Sequence, residues 1–232
     1  TPDIYEAAVL VAPPGGGGNA LQPVGTVTVP GSPPEIWEPR RGAHGDVHQF
    51  FYDSKAMKVL RSMWVYTPPG YEKSPASYPV LYLLHGSGGT EASWVAQGAA
   101  HVILDNLIAD GRAVPMIVVM PFGHSEPSMA PGVMPTFTGR DQRAFTDELV
   151  GELIPFVESR FRVQKKADGR AIAGLSMGGG QARSIGLARP DLFRWIGSFS
   201  GSMPGLRAPV SLDAVETMLG DVRSEEHTSE LQ

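Results

Sequence analysis

From Asp46 onward the hydrophobic positions alternate between two kinds of repeat. Val47–Tyr52 and Val59–Tyr66 are rich in β-branched and aromatic residues and predict strands, followed by the turn Thr67-Pro-Pro-Gly-Tyr71. Pro79–Leu84 is an almost unbroken apolar run, as expected of a central strand covered on both faces, and Met116–Met120 is another. Between them Trp94–Asp110 predicts a helix stopped by Gly111. In Asp141–Phe161 the residues Phe145, Leu149, Leu153, Phe156, Val157 and Phe161 recur at helical spacing. Asp147, Glu148, Glu152 and Arg160 fill the polar positions between them, and Pro155 is expected to bend this helix. A strand at Arg170–Leu175, a helix over Met177–Ala188, a strand at Trp195–Ser200 and a last helix near Leu212–Leu219 follow. Strands alternating with helices predict an α/β fold, with a mostly parallel central sheet and helices on both faces.

The two ends read differently. Residues 1–45 hold 8 prolines and 8 glycines, with short apolar stretches at Tyr5–Val11 and Val24–Val29. A block so rich in breakers is expected to be a linker, with the last strands of a preceding module as its apolar part. Arg223–Gln232 is, codon for codon, a translation of AGATCGGAAGAGCACACGTCTGAACTCCAG, a string resembling a short-read sequencing adapter. It is set aside as a scar, so one domain is expected over residues 46–222, truncated at its C-terminal end.

Composition narrows the chemistry. With 42% hydrophobic residues in 232, the chain has enough apolar surface for a core. The longest apolar runs are far below the roughly 18 residues that span a bilayer, so no membrane partner is expected. A net charge of −5 is unlike a basic nucleic-acid footprint, and the absence of cysteine removes thiolate metal sites and thiol nucleophiles. No His/Asp/Glu cluster has metal-ligand spacing, so neither metal nor cofactor is expected.

Two glycine-rich motifs remain. Gly174-Leu175-Ser176-Met177-Gly178 follows the short β run Ala171-Ile172-Ala173 and opens the small-residue helix start Gly178-Gly179-Gly180. That is the strand–turn–helix context of a nucleophile elbow, in which Gly174 and Gly178 let strand and helix pass closely. His85-Gly86-Ser87-Gly88-Gly89 follows the apolar strand directly. A tetrahedral oxyanion needs two backbone donors: Met177, after the nucleophile, and Ser87 in this loop, with Gly86 as second choice. His85 is expected to brace the loop rather than act as base. No Gly-Lys-Ser/Thr follows, which argues against phosphate binding. His124, just after a buried strand, and Trp94 are candidates for the substrate cleft.

The runs Val65–Tyr71, Tyr78–Gly86, Ile103–Ile108 and Ala173–Gly179 together resemble the esterase family of α/β-hydrolases, over about residues 46–222. The Thr-Pro-Pro-Gly-Tyr turn and the Gly-Leu-Ser-Met-Gly-Gly elbow look most like its feruloyl and acetyl-xylan esterases. The resemblance implies Ser176 as nucleophile of a serine carboxylesterase. It also implies a small-molecule or polysaccharide-linked ester as substrate, and a secreted or periplasmic location. Acyl transfer to a sugar hydroxyl, or a non-catalytic carbohydrate-binding relative, are the alternatives. Triads of this fold run Ser, then acid, then His. After Ser176 the only histidine is His227, inside the suspected adapter, and Asp191, Asp213, Glu216 and Asp221 do not sit at strand ends. The triad's acid and base are therefore expected to be missing.

Overall fold

A computed structural model of the chain describes residues 3–11, 20–125 and 142–201, with side chains from residue 30 onward. β1 (Asp3–Val11) and β2 (Ala20–Val29) form an antiparallel ribbon. A second sheet contains β3 (Asp46–Ser54), β4 (Val59–Thr67), β5 (Val80–Leu84), β6 (Ile117–Pro121), β7 (Arg170–Leu175) and β8 (Trp195–Phe199). Its order is β3-β4-β6-β5-β7-β8. β6, β5, β7 and β8 run parallel, whereas β4 pairs antiparallel with both β3 and β6. The sheet is thus mixed, its parallel half carrying an antiparallel hairpin.

The helices are α1 (Ser93–Ala96), α2 (Ala100–Ala109), α3 (Gln142–Glu148), α4 (Ile154–Arg160) and α5 (Met177–Ala188). Alternation along the strands sends side chains to two cores. Val80, Tyr82 and Leu84 of β5 join Ile117, Val119 and Ile172 against Phe145, Val157 and Ile185 of α3, α4 and α5, and against Leu149 between α3 and α4. Leu81 and Leu83 point the other way, with Val118, Met120 and Ala173, toward Trp94, Val95 and Leu104 of α1 and α2. Helices therefore cover both faces, as the near-continuous apolar strands require.

Three local expectations change. The helix expected over Trp94–Asp110 is two helices, because the chain turns tightly around Trp94. A Cβ at Gly98 would lie 2.9 Å from the Trp94 ring, and Ala99 is left-handed at φ 46°. The bend expected at Pro155 takes the form of a single π turn over Leu149–Leu153, which leaves Pro155 in the first turn of α4, where its missing N–H is harmless. Glu148, placed by sequence on the polar face, is fully buried. The helix near Leu212–Leu219 lies outside the described residues.

Residues 36–45, within the stretch expected to be a linker, are bonded to α2. The Asn106 amide donates to the carbonyls of Ile36 (2.7 Å) and Glu38 (2.9 Å), and the Gly45 N–H donates to the Asp105 carboxylate at 2.9 Å. Asp105 also accepts from Tyr66 Oη at 2.8 Å, which ties this stretch to β4.

Candidate active site

The chain leaves β5 toward β6 on one side and returns through β7 on the other, so the carboxyl ends of β5 and β7 flank a reversal of strand order. Crevices for ligands form at such points. Both glycine motifs sit there.

Ser176 joins β7 to α5 with φ 51° and ψ −109°, a conformation that costs a non-glycine residue roughly 1–3 kcal/mol. Its N–H donates to the Phe199 carbonyl at 2.7 Å, which pins the turn to β8. The flanking glycines have a steric reason. A Cβ at Gly174 would fall 2.4 Å from the Gly178 carbonyl carbon. A Cβ at Gly178 would fall 2.6 Å from the carbonyl oxygens of both Leu84 and His85. Helix α5 therefore starts against the end of β5 itself. The Ser176 side chain is exposed, and its hydroxyl makes no hydrogen bond among the described residues. Met177 is the first residue of α5, so its N–H has no intrahelical acceptor and lies at the positive end of the helix dipole.

The His85–Gly89 loop abuts this turn, since a Cβ at Gly86 would touch the Leu175 carbonyl oxygen at 3.7 Å. The Gly89 N–H closes the loop on the Gly86 carbonyl at 2.9 Å, and the Ser87 N–H makes no hydrogen bond among the described residues. His85 is 2% exposed and both of its ring nitrogens are engaged. Its Nε2 accepts from the Gly123 N–H at 2.8 Å, which places the ring proton on Nδ1, 2.7 Å from the Gly86 carbonyl oxygen it donates to. Burial pushes this imidazole down to about 4, and the neighbouring His124 and Arg61 push the same way, against the Gly86 carbonyl. A neutral, doubly bonded imidazole is a brace.

Trp94 lines a pocket of about 220 Å³ with His85, Gly86, Ser93, Gln97, Gly98 and Leu175, beside the serine turn. His124, expected at the cleft, is instead 4% exposed and stacks behind His85 and Phe122, with centroids 5.2 Å from each. Its proximity to a strand end could not reveal that the ring turns inward.

Sequence reasoning passed over three residues at this end of the sheet. Arg61 (4% exposed) donates to the carbonyls of Phe122 and His124, the latter at 2.8 Å, and pairs with Glu148 at 2.8 Å. Gln181, on α5, donates to the Gly123 carbonyl at 2.7 Å. Tyr52 Oη donates to Glu148 at 3.1 Å. Burial drives the Glu148 carboxyl above the usual range, and Arg61 with the Ser54 and Tyr52 hydroxyls pulls it back. A usable signal existed: Arg61 lies in phase with Met63 and Val65, so a charge stands on the core-facing stripe of β4.

The Esterase family model matches residues 54–227. An endo-1,4-beta-xylanase/feruloyl esterase of Xylanibacter ruminicola is 41% identical over 162 residues, covering 68% of this chain and 22% of that protein. A ferulic acid esterase of Anaeromyces mucronatus, solved with ferulic acid, superposes with a TM-score of 0.62 at 30% identity, covering 71% of this chain and 61% of that one. The feruloyl esterase module of Clostridium thermocellum, complexed with sinapinate, superposes with a TM-score of 0.53 at 27% identity, covering 68% and 54%. The chain thus spans about a fifth of that curated relative and under two thirds of each of these structures. With the elbow, the abutting glycine loop and the sheet order in place, the chain belongs to the Esterase family and has the α/β-hydrolase fold.

Proposed function

We propose that the protein is a serine carboxylesterase that hydrolyses acyl esters of carbohydrate or plant-polymer type, feruloyl or acetyl esters among them. The observation that carries this reading is the positive-φ turn at Ser176, wedged by Gly178 against the strand that opens the His85–Gly89 loop. Ser176 attacks the ester carbonyl. The Met177 and Ser87 amides stabilise the oxyanion, the alcohol leaves, and water then releases the acyl group. The pocket beside Trp94 is suited to one side of the ester. A polymer-linked substrate would place the reaction outside the cytoplasm.

The base that accepts the serine proton is proposed to lie outside the described residues, because His85 is bonded at both nitrogens and His124 is buried behind it. Without a base, a serine hydroxyl is a poor nucleophile at neutral pH. The only histidine after Ser176 is His227, inside the segment set aside as a scar, so residues 1–232 are proposed to be inactive. Residues 1–222 should hydrolyse methyl ferulate or p-nitrophenyl acetate far more slowly than a form extended with the C-terminal segment of a relative. In the extended form, Ser176→Ala should abolish turnover; activity retained by that variant refutes the proposed nucleophile.

A further inference from the structure

We propose that Arg61, held by Glu148, is a positioning residue that aims the Ser87 N–H at the developing oxyanion through two peptide planes and the His85 ring. This rests on the reading of Ser87 as an oxyanion donor.

The chain of contacts is continuous. Arg61 reaches out of β4 and grips the two carbonyls that flank Gly123, those of Phe122 and His124. In a trans peptide the C=O and N–H lie in one plane and point in opposite directions. Drawing the Phe122 carbonyl toward Arg61 therefore turns the Gly123 N–H away from it, and that N–H donates to His85 Nε2 at 2.8 Å. Gln181 fixes the same turn from α5 through the Gly123 carbonyl at 2.7 Å. With Nε2 committed as an acceptor, the single ring proton sits on Nδ1 and donates to the Gly86 carbonyl at 2.7 Å. The second peptide plane repeats the logic: as the Gly86 carbonyl is drawn to His85, the Ser87 N–H points the opposite way. That amide makes no hydrogen bond among the described residues.

Each link is dry, which makes the relay stiff. The side chains of Arg61 and Glu148 are 1% and 0% exposed, and His85 and Gln181 are 2% and 5% exposed. Arg61 also lies over the Phe122 ring, 5.0 Å from its centroid, and Tyr52 donates to the same Glu148 oxygen that pairs with Arg61. The turn is closely packed: a Cβ at Gly123 would stand 3.2 Å from Gln181 Oε1 and 3.6 Å from His85 Nε2. The guanidinium, a rigid planar fork, reaches two carbonyls and a carboxylate at once, whereas an ammonium is a compact point charge without that fixed geometry. Protonation of His85 would set Nε2–H against the Gly123 N–H. The neutral tautomer is therefore the working state, and Arg61 and His124 are the charged or titratable groups near the ring that disfavour the cation.

The test compares Arg61→Met, Arg61→Lys and Glu148→Gln in the full-length enzyme. Arg170→Met, which breaks the arginine–glutamate pair at the opposite end of the sheet, is the control. Long-range ¹⁵N–¹H spectra of histidine-labelled protein report the tautomer of His85, assigned with His85→Gln. In the parent and in Arg170→Met, His85 should show a fixed Nδ1–H tautomer. In Arg61→Met it should become a mixture, with kcat lowered about 10–100-fold, since loss of a whole oxyanion donor costs about 10²–10³-fold, and with KM little changed. Arg61→Lys, which is expected to fold, should recover part of both readouts, and Glu148→Gln should lie between. A fixed tautomer in folded Arg61→Lys and Arg61→Met overturns the relay whatever happens to kcat. A mixed tautomer with unchanged kcat overturns it differently, because Ser87 is then not an oxyanion donor.

Discussion

The two ends of the parallel strands each hold an arginine–glutamate pair, yet they are built differently. At the carboxyl end, Arg61 and Glu148 are sealed from water and bonded into the turn behind His85. At the amino end, Arg170 of β7 is 3% exposed but its partner Glu158, 2.5 Å away, is 23% exposed. Arg170 also donates to the Leu192 carbonyl at 2.8 Å, closing the loop that leads into β8. Glu148 and Glu158 lie ten residues apart along the segment from α3 to α4, about 15 Å of helix. One helical segment therefore supplies the acid for both ends. The strained serine, the unbonded amides and the dry ion pair all gather at one end. The other end has a groove of about 360 Å³ edged by Val80, Val114 and Trp195, with Trp195 62% exposed. A fully buried ion pair is a weak source of stability, because desolvation offsets its attraction. Its presence at the carboxyl end is better explained by what it orients.

The largest expected effect tests how tightly the carboxyl end is packed. Gly178→Ala forces a methyl group into two carbonyl oxygens at 2.6 Å, so α5 must shift and carry the Met177 amide with it. Turnover of an aryl ester should fall by about 100-fold or more, and the midpoint of urea unfolding should drop. Unaltered kinetics would mean that the helix start tolerates movement.

Next comes the contrast between the two acids. Glu148→Ala strands a buried guanidinium and should cost about 3–5 kcal/mol in chemical denaturation. Glu158→Ala removes a partner that is already part-exposed, so water can take its place at Arg170, and it should cost about 1 kcal/mol. Equal losses would erase the distinction drawn between the ends.

His85 gives the carboxyl end a pH dependence of its own. Its ring holds a proton less tightly in the folded protein, at about 4, than at the ordinary 6.5. Between those values the unfolded chain binds more protons, so stability is complete above pH 6.5 and declines as the pH falls toward 4, by about 3 kcal/mol. His85→Gln should be less stable at pH 7.5 but should lose that slope, which urea midpoints at several pH values would reveal.

The smallest effect belongs to the amino end. Trp195 keeps one hydrogen bond, from its indole N–H to the Asp168 carbonyl at 3.0 Å, and little packing. Trp195→Ala should cost under about 1 kcal/mol and leave ester hydrolysis unchanged. A marked loss of activity there would show that the two ends are coupled.

Much of this fold was legible because its signals are local. An apolar run such as Val80–Leu84, short and bounded by Pro79 and Gly86, fits a strand covered on both faces, and Gly-x-Ser-x-Gly after a β run fits a tight strand-to-helix turn. The family resemblance rested on the same stretches. Glu148 was misread because helical spacing treats every charge as solvent-facing, whereas Arg61 arrives from a strand 87 residues earlier to neutralise it. His124 was misplaced because a position after a strand end says nothing about which way a ring turns. The break of the helix at Gly98 and Ala99 came from the bulk of the Trp94 ring, which no periodicity registers. The sequence by itself determined the strands, the elbow and the glycine loop, since steric limits on a few consecutive residues suffice for them. Only the tertiary structure decided how Arg61, Gly123, Gln181 and His85 meet, because hydrogen bonds between segments far apart in the chain exist only once the sheet has brought those segments together.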